Sequence, residues 1–298
     1  MVSKGMEFVI NILKERAAQD IKERVEKGRA GMEELAKMVK VPKDVKCEPI
    51  DVAGIPAEWI SAPEAKSENI ILYLHGGGYI VGSINSHREL MSRISRASKA
   101  RVLIIDYRLA PEHPFPAAVE DAYTAYRWLI ENQNVDPNNL IIAGDSAGGG
   151  LTLATLINLR DKGIALPAAA VGLSPWTDLG LTGESYKTKA RIDPMVAIDG
   201  LMFDSRLYLG ETDYNNPLAS PLYGDLKGLP PLLILVGTAE ILLDDSVEFA
   251  KKAKEAGVEV TLDIWAEMPH VFPAFAAFAP EGQEAIEKIG EFMKKFFT

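Results

Sequence analysis

Cysteine is nearly absent from this 298-residue chain. Cys47 stands alone, so no internal disulfide can form, and it reads as a small semi-buried side chain. Histidine is also sparse. His75, His87, His113 and His270 are scattered, with no Cys/His cluster at ligand spacing, so no structural metal site is expected. No stretch approaches the roughly 18 uninterrupted apolar residues of a membrane-crossing helix. Met1 to Asp20 mixes Lys, Glu and Arg through its apolar positions and has no apolar core of the secretory kind, so a cytoplasmic location is the expectation. Positive charge is in the minority. The 32 Lys and Arg are outnumbered by 42 Asp and Glu, and a net charge of −10 would be repelled by a phosphate backbone. No nucleic-acid partner and no membrane partner are expected.

What is present is an ordinary globular composition, 47% apolar and 25% charged, with ample length for a large core. Residues 1–45 are charged and helix-prone. Phe8, Val9, Ile12 and Leu13 recur at helical spacing, as do Met32, Leu35, Ala36 and Val39, which suggests a helical lid segment. From Val45 the period changes. Glu48 to Ile60 alternates around Gly54-Ile55-Pro56, as in a hairpin. Six short apolar runs follow: 69–74, 101–106, 139–143, 168–173, 231–236 and 258–264. Helical patterns over 87–98, 117–132, 149–161, 246–256 and 281–297 separate them. Continuously apolar strands alternating with helices predict an α/β fold, with a mostly parallel sheet covered on both faces. The catalytic unit is expected over 46–298. Its stretch from 178 to 209 breaks the alternation and reads as an insertion that meets the N-terminal segment in a cap.

Ligands of open parallel sheets bind at the carboxyl ends of the strands. Every chemistry-bearing motif here falls at such an end. Gly144-Asp145-Ser146-Ala147-Gly148 lies where one apolar run turns abruptly into a helix. A sharp turn of this kind needs glycines on both sides and leaves the serine hydroxyl exposed at its apex. His75-Gly76-Gly77-Gly78-Tyr79 follows another run. Its bare backbone suits N–H donors aimed at a developing oxyanion, and it lacks the Lys-Ser/Thr of a phosphate loop. A serine hydroxyl needs a base. His270, in the loop after the last strand, is best placed. His75 is read as an orienting residue, while His87 and His113 are read as ordinary surface or loop histidines. The acid that orients the base belongs between serine and histidine in chain order. Glu240 lies just past a strand end and is favoured. Asp244 and Asp245 follow a turn later and look like a helix cap and its first turn.

These residues resemble the hormone-sensitive-lipase-like family of α/β-hydrolase esterases. The match runs through His75–Tyr79, Asp106–Ala117, Gly144–Gly149, Ser174-Pro175-Trp176 and Pro269–Phe272. The resemblance implies Ser146 as nucleophile, His270 as base, and the N–H groups of Gly77, Gly78 and Ala147 as oxyanion donors. The family's acid belongs to an Asp-Pro-Leu-x-Asp-Glu pattern whose first Asp aligns with Glu240. Glu240-Ile241-Leu242-Leu243-Asp244-Asp245 departs from it by having Glu and no Pro, which keeps Asp244 open. The resemblance implies a carboxylesterase acting on small esters with short to medium acyl chains, with no cofactor and no metal. It also implies that the last strand pairs edge to edge in a homodimer. The 107–117 block is read as a proline-fixed turn bracing the elbow. A deacetylating or amide-directed hydrolase with the same triad, and a non-catalytic receptor of the same fold, are the alternatives.

Overall fold

The computed structural model describes residues 4–297, and the side chains of 20–297. One helix, α1 (Lys4–Ala36), opens the chain. Two antiparallel strands follow, β1 (Lys46–Val52) and β2 (Ile55–Ser61). Then come β3 (Lys66–Leu74), α2 (Ile84–Ser98), β4 (Ala100–Ile105), α3 (Ala117–Glu131), β5 (Leu140–Asp145), α4 (Ala147–Asp161) and β6 (Ala169–Leu173). The chain continues through α5 (Ser185–Thr188), α6 (Ile198–Leu209), β7 (Leu232–Gly237), α7 (Leu243–Glu255), β8 (Val260–Trp265) and α8 (Pro280–Lys294).

All eight strands join one sheet in the order β1-β2-β4-β3-β5-β6-β7-β8. From β4 to β8 every pairing is parallel. The chain runs outward from β3 to β4, then returns past β3 to β5. The strand order therefore reverses between β3 and β5, and the loops leaving their carboxyl ends diverge around a crevice. The two glycine-rich motifs leave the sheet at this point.

The pleat sorts the core. Ile70, Leu72 and Leu74 of β3 face one layer with Tyr126 of α3, Leu151 of α4 and Phe249 of α7. Ile71 and Tyr73 face the other, with Leu90 and Ile94 of α2 and Ile286 and Ile289 of α8. Strands buried on both sides carry apolar residues at every position, which is why they read as unbroken runs.

One expectation is corrected. The hairpin turns at Ala53-Gly54, both with positive φ, and Ile55 and Pro56 already belong to β2. A type I′ two-residue hairpin turn requires that conformation at both positions. Of the apolar stripe Met32, Leu35, Ala36 and Val39, Leu35 is exposed and the other three are half-buried. The helix ends at Ala36, and Leu35 in its last turn is 62% exposed. The equivalent pattern at Phe8, Val9, Ile12 and Leu13 has side chains outside the described residues. The 178–209 stretch is only partly helical, as α5 and α6 separated by turns. Arg24 of α1 lies 3.8 Å over the Phe203 ring of α6, so these two segments meet. No described helix is long and apolar enough to cross a membrane.

Candidate active site

The turn from β5 into α4 contains no loop. Ser146 is the hinge, at φ 52° and ψ −121°, a strained backbone for a residue with a side chain. Three backbone hydrogen bonds hold it. Ser146 donates its N–H to Leu173 O at 2.8 Å, and its carbonyl accepts from Gly150 and Trp176. The flanking glycines are steric necessities. A Cβ on Gly148 would stand 2.0 Å from Leu74 O, and one on Gly144 would stand 2.3 Å from Gly148 O. The Ser146 side chain is half-buried, at the start of α4. Ala147 is the first residue of α4, so its N–H has no acceptor within the helix.

The loop after β3 curls tightly. Gly77 and Gly78 have φ of 119° and 62°, and Gly77 O accepts from both Ile80 and Val81. A Cβ on Gly77 would stand 2.3 Å from Val81 O, so this curl requires glycine. His75 is buried beneath it, its Nδ1 2.8 Å from Gly76 O and its ring stacked on Tyr107. Burial pushes its pKa down to about 3, so it is neutral. The 107–117 block braces this loop, where the sequence reading had it brace the elbow. Tyr107 Oη donates to His75 O at 2.7 Å, and Ala110 N–H donates to Tyr79 O.

Glu240 and His270 come together from the ends of β7 and β8. His270 Nδ1 donates to Glu240 Oε2 at 2.7 Å, with Glu240 fully buried and His270 5% exposed. The other carboxylate oxygen accepts Gly237 N–H at 2.7 Å and the Ser174 hydroxyl at 2.8 Å. Ser174 also accepts Val271 N–H, so one hydroxyl ties Glu240 to the loop that carries His270. Its own N–H donates to Leu235 O, one strand over from the Ser146 anchor at Leu173. Sequence reasoning quoted Ser174 without assigning it this task, and no local pattern marks it. Burial pulls the His270 imidazole down. The Glu240 charge and hydrogen bond, helped by Asp193 and Asp145, outweigh it and leave the pKa raised.

The two competing acids are engaged elsewhere. Asp244 Oδ2 accepts Ser185 N–H at 2.7 Å. Asp245 is buried, accepts from Thr177, Asp178 and Tyr186, and is pushed by burial up to about 8. Both lie in the first turn of α7, whose cap is Leu242, so neither is the helix cap.

His87 is the clearest correction. Expected as a surface or loop histidine, it is 7% exposed and lies 3.4 Å from Asp145, the residue preceding Ser146. Asp145 also accepts Tyr73 Oη at 2.8 Å and Gly76 N–H at 3.0 Å. Burial disfavours the Asp145 charge, but His87 and the Tyr73 hydroxyl hold its carboxyl below the usual range. This carboxylate pins the elbow to the glycine loop. Its place as the first x of G-x-S-x-G gave no signal, because that position is read as variable. Asp145→Ala leaves buried donors unpaired at about 1–3 kcal/mol each. A loss of about 3 kcal/mol or more is expected, seen as a lower urea midpoint at unchanged slope.

A parallel sheet with an unlooped strand–serine–helix turn, an adjacent glycine loop and a buried acid–histidine pair define an α/β-hydrolase. The chain belongs to this family, whose alpha/beta hydrolase fold matches residues 71–274, and within it to the hormone-sensitive-lipase esterases. It is 47% identical over 245 residues to an acetyl-hydrolase of Streptomyces hygroscopicus, covering 82% of this chain and 81% of that protein. It is 37% identical over 265 residues to an esterase of Acinetobacter venetianus, covering 89% and 87%. Among solved structures it resembles an esterase of the bacterial hormone-sensitive lipase family, with TM-score 0.90, 47% identity and full coverage of both chains. It also resembles EstE5 soaked with p-nitrophenyl butyrate, with TM-score 0.89, 51% identity and 91% coverage of both.

Proposed function

We propose that this chain is a serine carboxylesterase for small esters, with Ser146 as nucleophile, His270 as base and Glu240 as the acid that orients it. The observation that carries the assignment is the 2.7 Å hydrogen bond from His270 Nδ1 to buried Glu240. With its proton on Nδ1, the ring presents the Nε2 lone pair to a hydroxyl. Ser146 Oγ attacks the ester carbonyl while Nε2 takes its proton. The former carbonyl oxygen becomes an oxyanion, received by the N–H groups of Gly77, Gly78 and Ala147. Each such donor is worth roughly 2.7–4 kcal/mol. Collapse expels the alcohol, protonated by His270, and leaves an acyl-serine. Water, deprotonated by the same imidazole, attacks the acyl carbon, and the second collapse releases the acid and restores Ser146. Protons and electrons balance without a metal or organic cofactor.

Residues 1–45 and 178–209 form the cap in this reading, supported by the contact of Arg24 with Phe203. A cap of this kind bounds the acyl site and favours short to medium chains. The edge strand β8 is the surface on which a second copy would pair. The single cysteine suits a reducing cytoplasm. A chain-length series of aryl esters tests the substrate range. Turnover is expected to be highest for acetate to hexanoate esters and to fall at least tenfold by dodecanoate. A preference for emulsified long-chain triglycerides contradicts the reading.

A further inference from the structure

Helix α6 lies across the glycine loop. Its Tyr208 stacks flat on Tyr79, with ring centroids 3.7 Å apart and planes within 4° of parallel. One helical turn earlier, Asp204 meets the preceding loop residue. A Cβ on Gly78 would stand 2.4 Å from Asp204 Oδ2 and 3.0 Å from its Cγ. The carboxyl therefore occupies the space a side chain at 78 would take. It is only part-buried.

These contacts bound a distance. With a Cα–Cβ bond of about 1.5 Å, Asp204 Oδ2 lies within about 4 Å of Gly78 Cα. Adding the N–Cα bond and an N–H···O contact of about 3 Å puts an oxyanion on Gly78 N–H no farther than about 8.5 Å away. The acyl chain of a bound ester begins one bond from that oxygen.

We propose that Asp204 is a specificity-determining residue, selecting esters with uncharged acyl groups over those whose acyl group ends in a carboxylate. The inference rests on Gly78 being an oxyanion donor. The distal carboxylate of a short diacid acyl group can approach Asp204 to a similar distance, and two like charges about 8 Å apart near a protein surface repel enough to shift a rate roughly 30-fold when unscreened and about tenfold with residual screening.

The selection depends on pH. Burial raises the Asp204 carboxyl, Arg24 of α1 pulls it back, and it rests at about 7. Tyr79 and Tyr208 stack on each other beside the same loop. Burial raises both, so they stay neutral near pH 7. Below about pH 7 the carboxyl is protonated and the selection is absent. Above it, the charge and the selection are present.

The test compares kcat/KM for an aryl pentanoate and the matching aryl hemiglutarate, whose free carboxylate is ionised throughout, at pH 6 and pH 8 in low salt. The ratio of neutral to anionic ester is expected to rise about tenfold between the two values. In Asp204→Asn it stays at its pH 6 level. Ionisation of His270 and any loss of folded enzyme act on both esters alike and cancel in the ratio. A ratio that is flat with pH in the parent enzyme, or that rises equally in Asp204→Asn, overturns the assignment. Failure of the underlying hydrolase reading is separately visible, as undiminished hydrolysis of both esters by Ser146→Ala.

Discussion

Ser146→Ala is expected to abolish hydrolysis of a short aryl ester while leaving the fold intact. Removing the nucleophile of a serine triad costs on the order of 10⁶ in kcat, and the oxyanion donors and substrate binding alone retain roughly 10³–10⁴ over water. The loss should be confined to chemistry. The backbone at 146 is held by bonds to Leu173, Gly150 and Trp176 that alanine keeps, and the removed hydroxyl is half-buried. Thermal unfolding of the variant should therefore stay near that of the parent. Steady-state kinetics and a melting curve on one preparation check both halves. Parental turnover by the alanine enzyme would sink the esterase assignment.

Glu240→Gln is expected to lower kcat by about 10⁴, with Asp244→Asn changing it less than fivefold. An amide at 240 can present its NH₂ to His270 Nδ1, which favours the tautomer whose Nε2 carries the proton and cannot accept one from serine. Asp244 is spent on Ser185, so its loss loosens the link between α5 and α7 and leaves the imidazole oriented. The pH profile gives an independent reading. The base must be neutral to work, so activity rises as pH climbs through the His270 pKa. That pKa is raised from 6.5, net of burial, by the Glu240 charge. The acidic limb of kcat/KM should therefore lie above 6.5 in the parent and move down in whatever activity Glu240→Gln retains. Linkage gives the same sign for stability. The stabilisation of protonated His270 by Glu240 is complete below the unfolded-state value and is lost as pH rises through the raised one. An Asp244→Asn enzyme more damaged than Glu240→Gln would reverse the assignment of the acid.

Much of this was legible before any coordinates. Strands buried on both faces advertise themselves as apolar runs, so all six runs appear as strands, with ends shifted by no more than a few residues. Gly144 and Gly148 were readable because steric exclusion leaves one residue type at each place. The order Ser146, Glu240, His270 was readable because each lies where a strand ends. Illegible features share a different character. Asp145, His87, Ser174 and Asp204 act through partners 58, 66 or more residues away, or through contact with a glycine that has no side chain to betray it. Leu35 lies on a helical apolar stripe yet is 62% exposed. Helical spacing reports a face but not whether another element arrives to cover it.

By itself the sequence determined the alternation of strands and helices, the glycines that permit the elbow and the curled loop, and the chain order of Ser146, Glu240 and His270 at strand ends. These follow from local sterics and periodicity, which each residue carries wherever it is placed. Only the tertiary structure decided that His270 bonds Glu240 while Asp244 and Asp245 serve other partners. It also decided that His87 is buried against the elbow, and that a carboxyl from α6 stands beside Gly78. Those outcomes depend on which strand ends converge at the crevice between β3 and β5, and on the depth at which each side chain loses its water.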